Sequence, residues 1–255
     1  MTPQLLALFL FILKSSSVPA DIKTAMVRIN ARTEPLSIRL RKVPAKRAER
    51  ASIPPSPRTD TLVAVHLDPD YLGIEKCVGR IKHLMDQVKF DHTFQLLTAS
   101  GYTFMLDYGN KMRYWPPGGA FMQNPPGDTF TLVGGYFQYC MRDMFKGLIE
   151  TLGSSRARGD RIYINFPLEA IFAAELAYED GETLAYPIPA AWEKLTREQL
   201  IPFLNSKGIA YRIYFAERGV KYEVLGTPKP QKTIQASITF WADLKEYIAE
   251  LKRQN

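Results

Sequence analysis

Two short, nearly continuous apolar runs, at 61–67 and 129–134, are each followed by a stretch whose apolar residues recur at helical spacing. After the first come Ile74, Val78, Ile81, Met85 and Val88; after the second come Phe137, Met141, Met144, Phe145, Leu148, Ile149 and Leu152. A run without alternation fits a strand covered on both faces, and a stripe of period 3.6 fits a helix lying against a sheet. Strand, helix and strand in succession require crossover connections, which make neighbouring strands parallel. The expected fold is α/β: a three-layer, mostly parallel open sheet with helices on both faces.

The rest of the chain fills in this scheme. Residues 92–99 and 102–106 read as strands that Ser100-Gly101 would join as a hairpin. Residues 161–166 read as a strand and 168–177 as a helix. Thr196-x-x-Gln199 has the pattern of a capping box, and Gly208 would end the helix that it starts. Residues 209–216 and 220–225 alternate around Arg218-Gly219, which predicts a C-terminal hairpin at an antiparallel edge. Trp241, Leu244, Ile248 and Leu251 mark a final amphipathic helix. Two proline-glycine clusters, Trp115-Pro116-Pro117-Gly118-Gly119 and Asn124-Pro125-Pro126-Gly127, bracket a loop.

Charge divides the chain. Residues 22–58 hold ten basic residues against Glu34 and Glu49, a net +8, so the remainder of this +7 chain is near neutral. Five prolines between 35 and 57 disfavour long elements there, although 26–29 and 36–40 suit short strands. Residues 21–59 thus read as a basic linker, open to contact with a membrane surface or a nucleic acid, or simply solvated. Residues 5–13 are nine apolar residues, too few to span a bilayer, which takes about 20. Residues 1–20 have the length of a signal peptide with a cleavage site after Ala20; an apolar N-terminal helix is the alternative. Export would follow from the first reading and a cytoplasmic location from the second. Residues 60–255 form the single α/β domain.

The chemistry-bearing residues are few. Cys77 and Cys140 make no disulfide framework, and His66, His83 and His92 have no zinc-ligand spacing. One glycine pair is not a phosphate loop, so no cofactor is expected. Ligands in open α/β sheets bind outside the carboxyl ends of strands. One such end carries His66, Asp68 and Asp70, and another carries Gly134, Gly135 and Cys140. Cys140 in the first turn of a helix would sit among unpaired amides, which favour a thiolate and could hold an oxyanion. Cys140 also borders an apolar stripe, as a packed thiol would. Asp68 and Asp70 suit a base or a helix cap, and His66, inside an apolar run, suits a core histidine or a ligand contact. Gly134 and Gly135 suit close backbone packing or a ligand. Lys111 would supply positive charge, and Trp115 would cover the site or the sheet edge.

The segment Leu132-Val-Gly-Gly-Tyr-Phe-Gln-Tyr-Cys140 resembles the strand, turn and helix of isochorismatase-like cysteine hydrolases, a family that includes nicotinamidases. Gly134 stands six residues before Cys140, as in the family, and Lys111 followed by Gly119-Ala120-Phe121 is similar to the family's lysine motif at a longer spacing. The resemblance covers about 61–175, with gaps. It implies a small-molecule hydrolase with Cys140 as nucleophile and Lys111 as electrostatic helper, acting on an amide or vinyl-ether type substrate. Aligning Asp70-Tyr71 with the family's Asp-Phe pair sets His66 at the catalytic aspartate position, so Asp68 would take the role of base. His66, Asp70, Gly134, Gly135 and Trp115 would line the substrate. The alternative is a catalytically silent α/β interaction domain tethered by its basic tail. The oligomeric state is left open.

Overall fold

The structure is a computed structural model. It describes residues 27–28, 39–43, 60–69, 74–97, 103–106, 112–115, 126–135, 137–157, 159–172, 196–217, 220–226 and 234–254. In chain order these give β1 (Val27–Arg28), β2 (Arg39–Val43), β3 (Asp60–Val65), α1 (Ile74–Gln87), β4 (His92–Leu96), β5 (Met112–Trp115) and β6 (Thr129–Gly134). A π-helical turn (Phe137–Met141) leads into α2 (Arg142–Ser155), followed by β7 (Arg161–Pro167) and a 3₁₀ turn (Leu168–Ala170). A second π-helical turn (Thr196–Leu200) leads into α3 (Ile201–Ser206), then β8 (Ala210–Glu217), β9 (Val220–Gly226), β10 (Gln235–Trp241) and α4 (Leu244–Gln254).

The strands form one sheet in the order β1-β2-β9-β8-β10-β7-β6-β3-β4-β5. From β8 to β5 every neighbouring pair is parallel. The expected hairpin of β8 and β9 then adds an antiparallel edge, which β2 and β1 extend. The basic segment is therefore not wholly apart from the domain, since its residues Arg41, Lys42 and Val43 pair with β9.

All of β3 and β6 is buried, and successive side chains serve opposite cores. Val63, Val65, Phe130 and Leu132 join Phe145, Leu148 and Leu152 of α2 and Ile201 and Leu204 of α3. Leu62, Ala64 and Val133 join Ile74, Cys77 and Ile81 of α1 and Leu244, Ile248 and Leu251 of α4. Burying one such side chain contributes about 1.5–3 kcal/mol, so each face needs its own helices and the three layers follow. Phe166 and Phe240 stack at 4.8 Å, and Phe137 meets both edge-on at 6.1 and 6.0 Å. These rings fasten the turn before α2 to the sheet. The second core also holds a polar pair, Thr131 Oγ1 to Tyr247 OH at 2.6 Å, and Trp241 Nε1 donates to Asn165 Oδ1 at 3.1 Å.

Several local expectations change. The described residues 103–106 are not a strand. β4 instead pairs in parallel with β5, a strand for which the sequence reading has no element. The buried Gln95 amide occupies the backbone groups of 103–106, donating to the Phe104 carbonyl at 2.6 Å and accepting from Leu106 N–H at 2.9 Å. Of the expected helix 168–177, the described part is one 3₁₀ turn, after which Ile171 bridges to Gly134. The Thr196 hydroxyl is buried without a hydrogen-bond partner among the described residues, so it does not cap the following helix. Gly208, at φ +67°, does end that helix. Trp241 belongs to β10, a central strand that the sequence reading missed, and α4 begins at Leu244. Among the described residues no helix is long and apolar enough to cross a membrane. Residues 1–20 lie outside the described residues.

Candidate active site at the carboxyl ends of β3 and β6

β3 is followed in the sheet by β4 on one side, whereas β6 is followed by β7 on the other. The two adjacent strands thus send their connections in opposite directions, which opens a crevice at their carboxyl ends. His66 directly follows β3. Its backbone has φ +40°, unusual for a residue other than glycine, and its N–H donates to the Leu96 carbonyl at 3.1 Å. Its imidazole is partly buried, and Nε2 is buried with no hydrogen-bond partner among the described residues. Burial pushes the His66 pKa below its ordinary value, against a smaller opposing pull from Asp68. Asp68 is itself buried.

Segment 103–106 is stitched to this end of the sheet. Phe104 N–H and Thr103 Oγ1 donate to the Leu67 carbonyl at 2.7 and 3.1 Å, and Gln95 holds Phe104 and Leu106 from below. Gln95 was not among the expected site residues. Its signal was a polar side chain between Phe94 and Leu96 in a buried strand.

Gly134 and Gly135 are needed for contact with β3. Gly134 has φ +100°, and a Cβ there would strike the Val65 carbonyl oxygen and stand 2.9 Å from the Val65 nitrogen. A Cβ on Gly135 would lie 2.7 Å from the His66 carbonyl oxygen and 3.1 Å from the His66 Cβ. The Gly135 N–H donates to the Val65 carbonyl at 2.5 Å. Of the two uses considered for this pair, close packing is the one that the contacts display.

Cys140 is the fourth residue of the π-helical turn, partly buried against the first core. Tyr139 beside it is 53% exposed, and the Arg142 guanidinium lies 5.9 Å above the Tyr139 ring. The pKa of Arg142 is raised, first by its 2.7 Å hydrogen bond to Asp143, with smaller contributions from the charges of Tyr139 and Cys140. A cation therefore stands within electrostatic reach of the Cys140 thiol. Not all amides of the turn face a ligand: the Phe137 N–H donates to the Phe172 carbonyl at 2.8 Å. Cys77 differs in every respect. It is fully buried in the second core, donates to the Ala170 carbonyl at 3.2 Å, and burial pushes its pKa up to about 12. Both thiols are free.

The fold thus gathers His66, Asp68, Gly134 and Gly135 on two adjacent strand ends. Cys140 follows Gly135 by five residues, about one and a half helical turns. Trp115 ends β5, two strands from β3, and its side chain lies outside the described residues. Lys111 and Asp70 also lie outside them. Among the described residues no group of three metal-ligating side chains converges. No protein-family model, curated protein or solved structure matches the chain.

Proposed function

We propose that the protein is a small-molecule hydrolase that works through Cys140, with its substrate in the crevice between the ends of β3 and β6. One observation carries this reading: of the two thiols, Cys140 alone is partly exposed, on a π-helical turn at the switch-point strand end and near the Arg142 cation. Single π-turns are enriched at functional sites, and a neighbouring cation favours the thiolate. The thiolate attacks the carbonyl carbon of a small amide and the carbonyl electron pair moves to oxygen. Collapse of that adduct expels the amine, and water then cleaves the thioester. The amide or vinyl-ether substrate class comes from the resemblance to isochorismatase-like hydrolases, and Asp68 and Lys111 enter from the same source.

The test is iodoacetamide labelling at pH 7, read by peptide mass, on the folded protein and on the urea-unfolded chain. An activated Cys140 reacts faster folded than unfolded, while Cys77 is protected by folding. A Cys140 that is slowed by folding, as a merely packed thiol would be, refutes the proposal.

A second reading, a catalytically silent interaction domain, is favoured by the engagement of two amides near the crevice, those of Gly135 and Phe137, in packing. The basic residues Arg39, Arg41 and Lys42 lie on β2, at the antiparallel side of the sheet. This reading expects binding to anionic vesicles or to RNA that weakens with salt and is lost when the basic residues of 22–58 are neutralised.

A further inference from the structure

We infer that Arg142 selects the substrate by holding a carboxylate on its guanidinium, so that the small amide attacked by Cys140 is an anionic one. The inference rests on the hydrolase reading and adds to it the charge of the substrate and the residue that recognises it. Arg142 is the first residue of α2, two positions after Cys140. Its side chain is 24% exposed, and three neighbours hold it in place. Nε donates to Asp143 Oδ1 at 2.7 Å, Nη1 donates to Gln199 Oε1 at 3.3 Å, and the guanidinium lies 5.9 Å from the centre of the exposed Tyr139 ring. Gln199 belongs to the π-helical turn before α3, so the guanidinium joins the two turns that precede α2 and α3.

A guanidinium carries five N–H donors in a fixed fork. Here Nε and one donor of Nη1 are engaged, while Nη2 makes no hydrogen bond among the described residues. The edge formed by Nη1 and Nη2 is the one that grips a carboxylate through two parallel hydrogen bonds. A side chain already fixed in place loses less freedom when a ligand arrives, which favours binding at this edge. Asp143 sits on the Nε side and is 59% exposed, where water and salt screen its charge. The Cys140 charge acts on the guanidinium as well, so the thiol and the cation serve one place. A thiolate by itself repels an anionic substrate. A positioned cation beside it offsets that repulsion and favours anionic amides over neutral ones, which would leave the open donors to water.

The experiment compares two alkylating reagents of similar size: iodoacetate, which carries a carboxylate, and iodoacetamide, which does not. Both react with the same thiolate, forming a carbon–sulfur bond as iodide leaves. The ratio of their rates at Cys140 is therefore blind to the pKa of the thiol and reads the charge beside it. Peptide mass at pH 7 and low salt gives this ratio for the folded wild type, for folded Arg142→Gln and for the urea-unfolded wild-type chain. The expected iodoacetate-to-iodoacetamide ratio in the folded wild type is about three- to five-fold above that of the unfolded chain, the effect of one unit charge at close range in water. It falls toward the unfolded value in Arg142→Gln and on addition of salt. The wild-type comparison needs no substitution, and far-ultraviolet circular dichroism checks that the variant is folded. A folded ratio no higher than the unfolded one, or a raised ratio that Arg142→Gln keeps, overturns the inference. Either result together with fast iodoacetamide labelling leaves the hydrolase reading standing and removes only the role of Arg142. Iodoacetamide labelling slower in the folded wild type than in the unfolded chain removes both.

Discussion

Replacing Gly134 by alanine tests the central contact of the fold. The residue is at φ +100°, and an L-residue there pays about 1–2 kcal/mol in backbone strain. The new methyl group would also strike the Val65 carbonyl oxygen and come within 2.9 Å of the Val65 nitrogen and the Leu67 Cδ2. Two of these atoms are backbone of the neighbouring central strand, so relief requires β3 and β6 to separate. Forced overpacking of this kind costs about 1–3 kcal/mol more. The sum is about 2–5 kcal/mol, which for a chain of this size lowers Tm by roughly 5–20 °C. Gly79 provides the control. It is exposed in the middle of α1, and a Cβ there meets nothing within 4 Å. Gly79→Ala should therefore stabilise the protein by about 0.5–1 kcal/mol through helix propensity alone. Thermal and urea unfolding followed by far-ultraviolet circular dichroism read both. A Gly134→Ala protein within about 0.5 kcal/mol of wild type, or one no less stable than Gly79→Ala, would refute the close approach of the two strands.

Other consequences follow from single polar groups. Gln95→Leu should cost about 1–3 kcal/mol and raise the hydrogen-exchange rate of the Leu106 amide, whose N–H now donates to Gln95 at 2.9 Å; unchanged exchange would mean that 103–106 is held by other contacts. The pH dependence of stability has a sign at each end. With the His66 pKa depressed, its contribution is complete above the ordinary histidine value of about 6.5 and is lost as pH falls through the folded value. With the Cys77 pKa raised from 9.0 to about 12, its contribution is complete below 9 and is lost as pH rises through the folded value. Urea midpoints measured across pH should show both limbs. His66→Asn should flatten the acid limb and Cys77→Ala the alkaline one, and a variant that leaves its limb unchanged would contradict the corresponding burial.

The elements that could be read from the residues are those whose pattern is locally complete. β3 and β6 appear as apolar runs because both of their faces are covered, and α1, α2 and α4 appear as stripes because one face of each is covered. β10 escaped, although Ile238 and Phe240 alternate with Ser237 and Thr239, because the second face of the sheet there is lined by polar groups such as Asn165. Residues 92–106 looked like a hairpin because two extended-looking segments flank Ser100-Gly101. A side chain, Gln95, and not strand pairing, satisfies the second segment, and no local pattern encodes that. For the site, the residues at each strand end were visible in advance, but their status was not. That Gly134 and Gly135 press against β3, that Cys77 is sealed while Cys140 is partly exposed, and that His66 carries the positive φ depend on which strands become neighbours.

Sequence alone therefore determined the layered α/β architecture, since strand and helix periodicities depend only on which faces are apolar. Strand order, and with it the crevice between β3 and β6, was decided by tertiary structure. Pairing joins residues far apart in the chain, as in Val63 with Leu132 and Arg41 with Glu223, and the free energy of such contacts lies in the packing of the assembled sheet and not in either segment by itself.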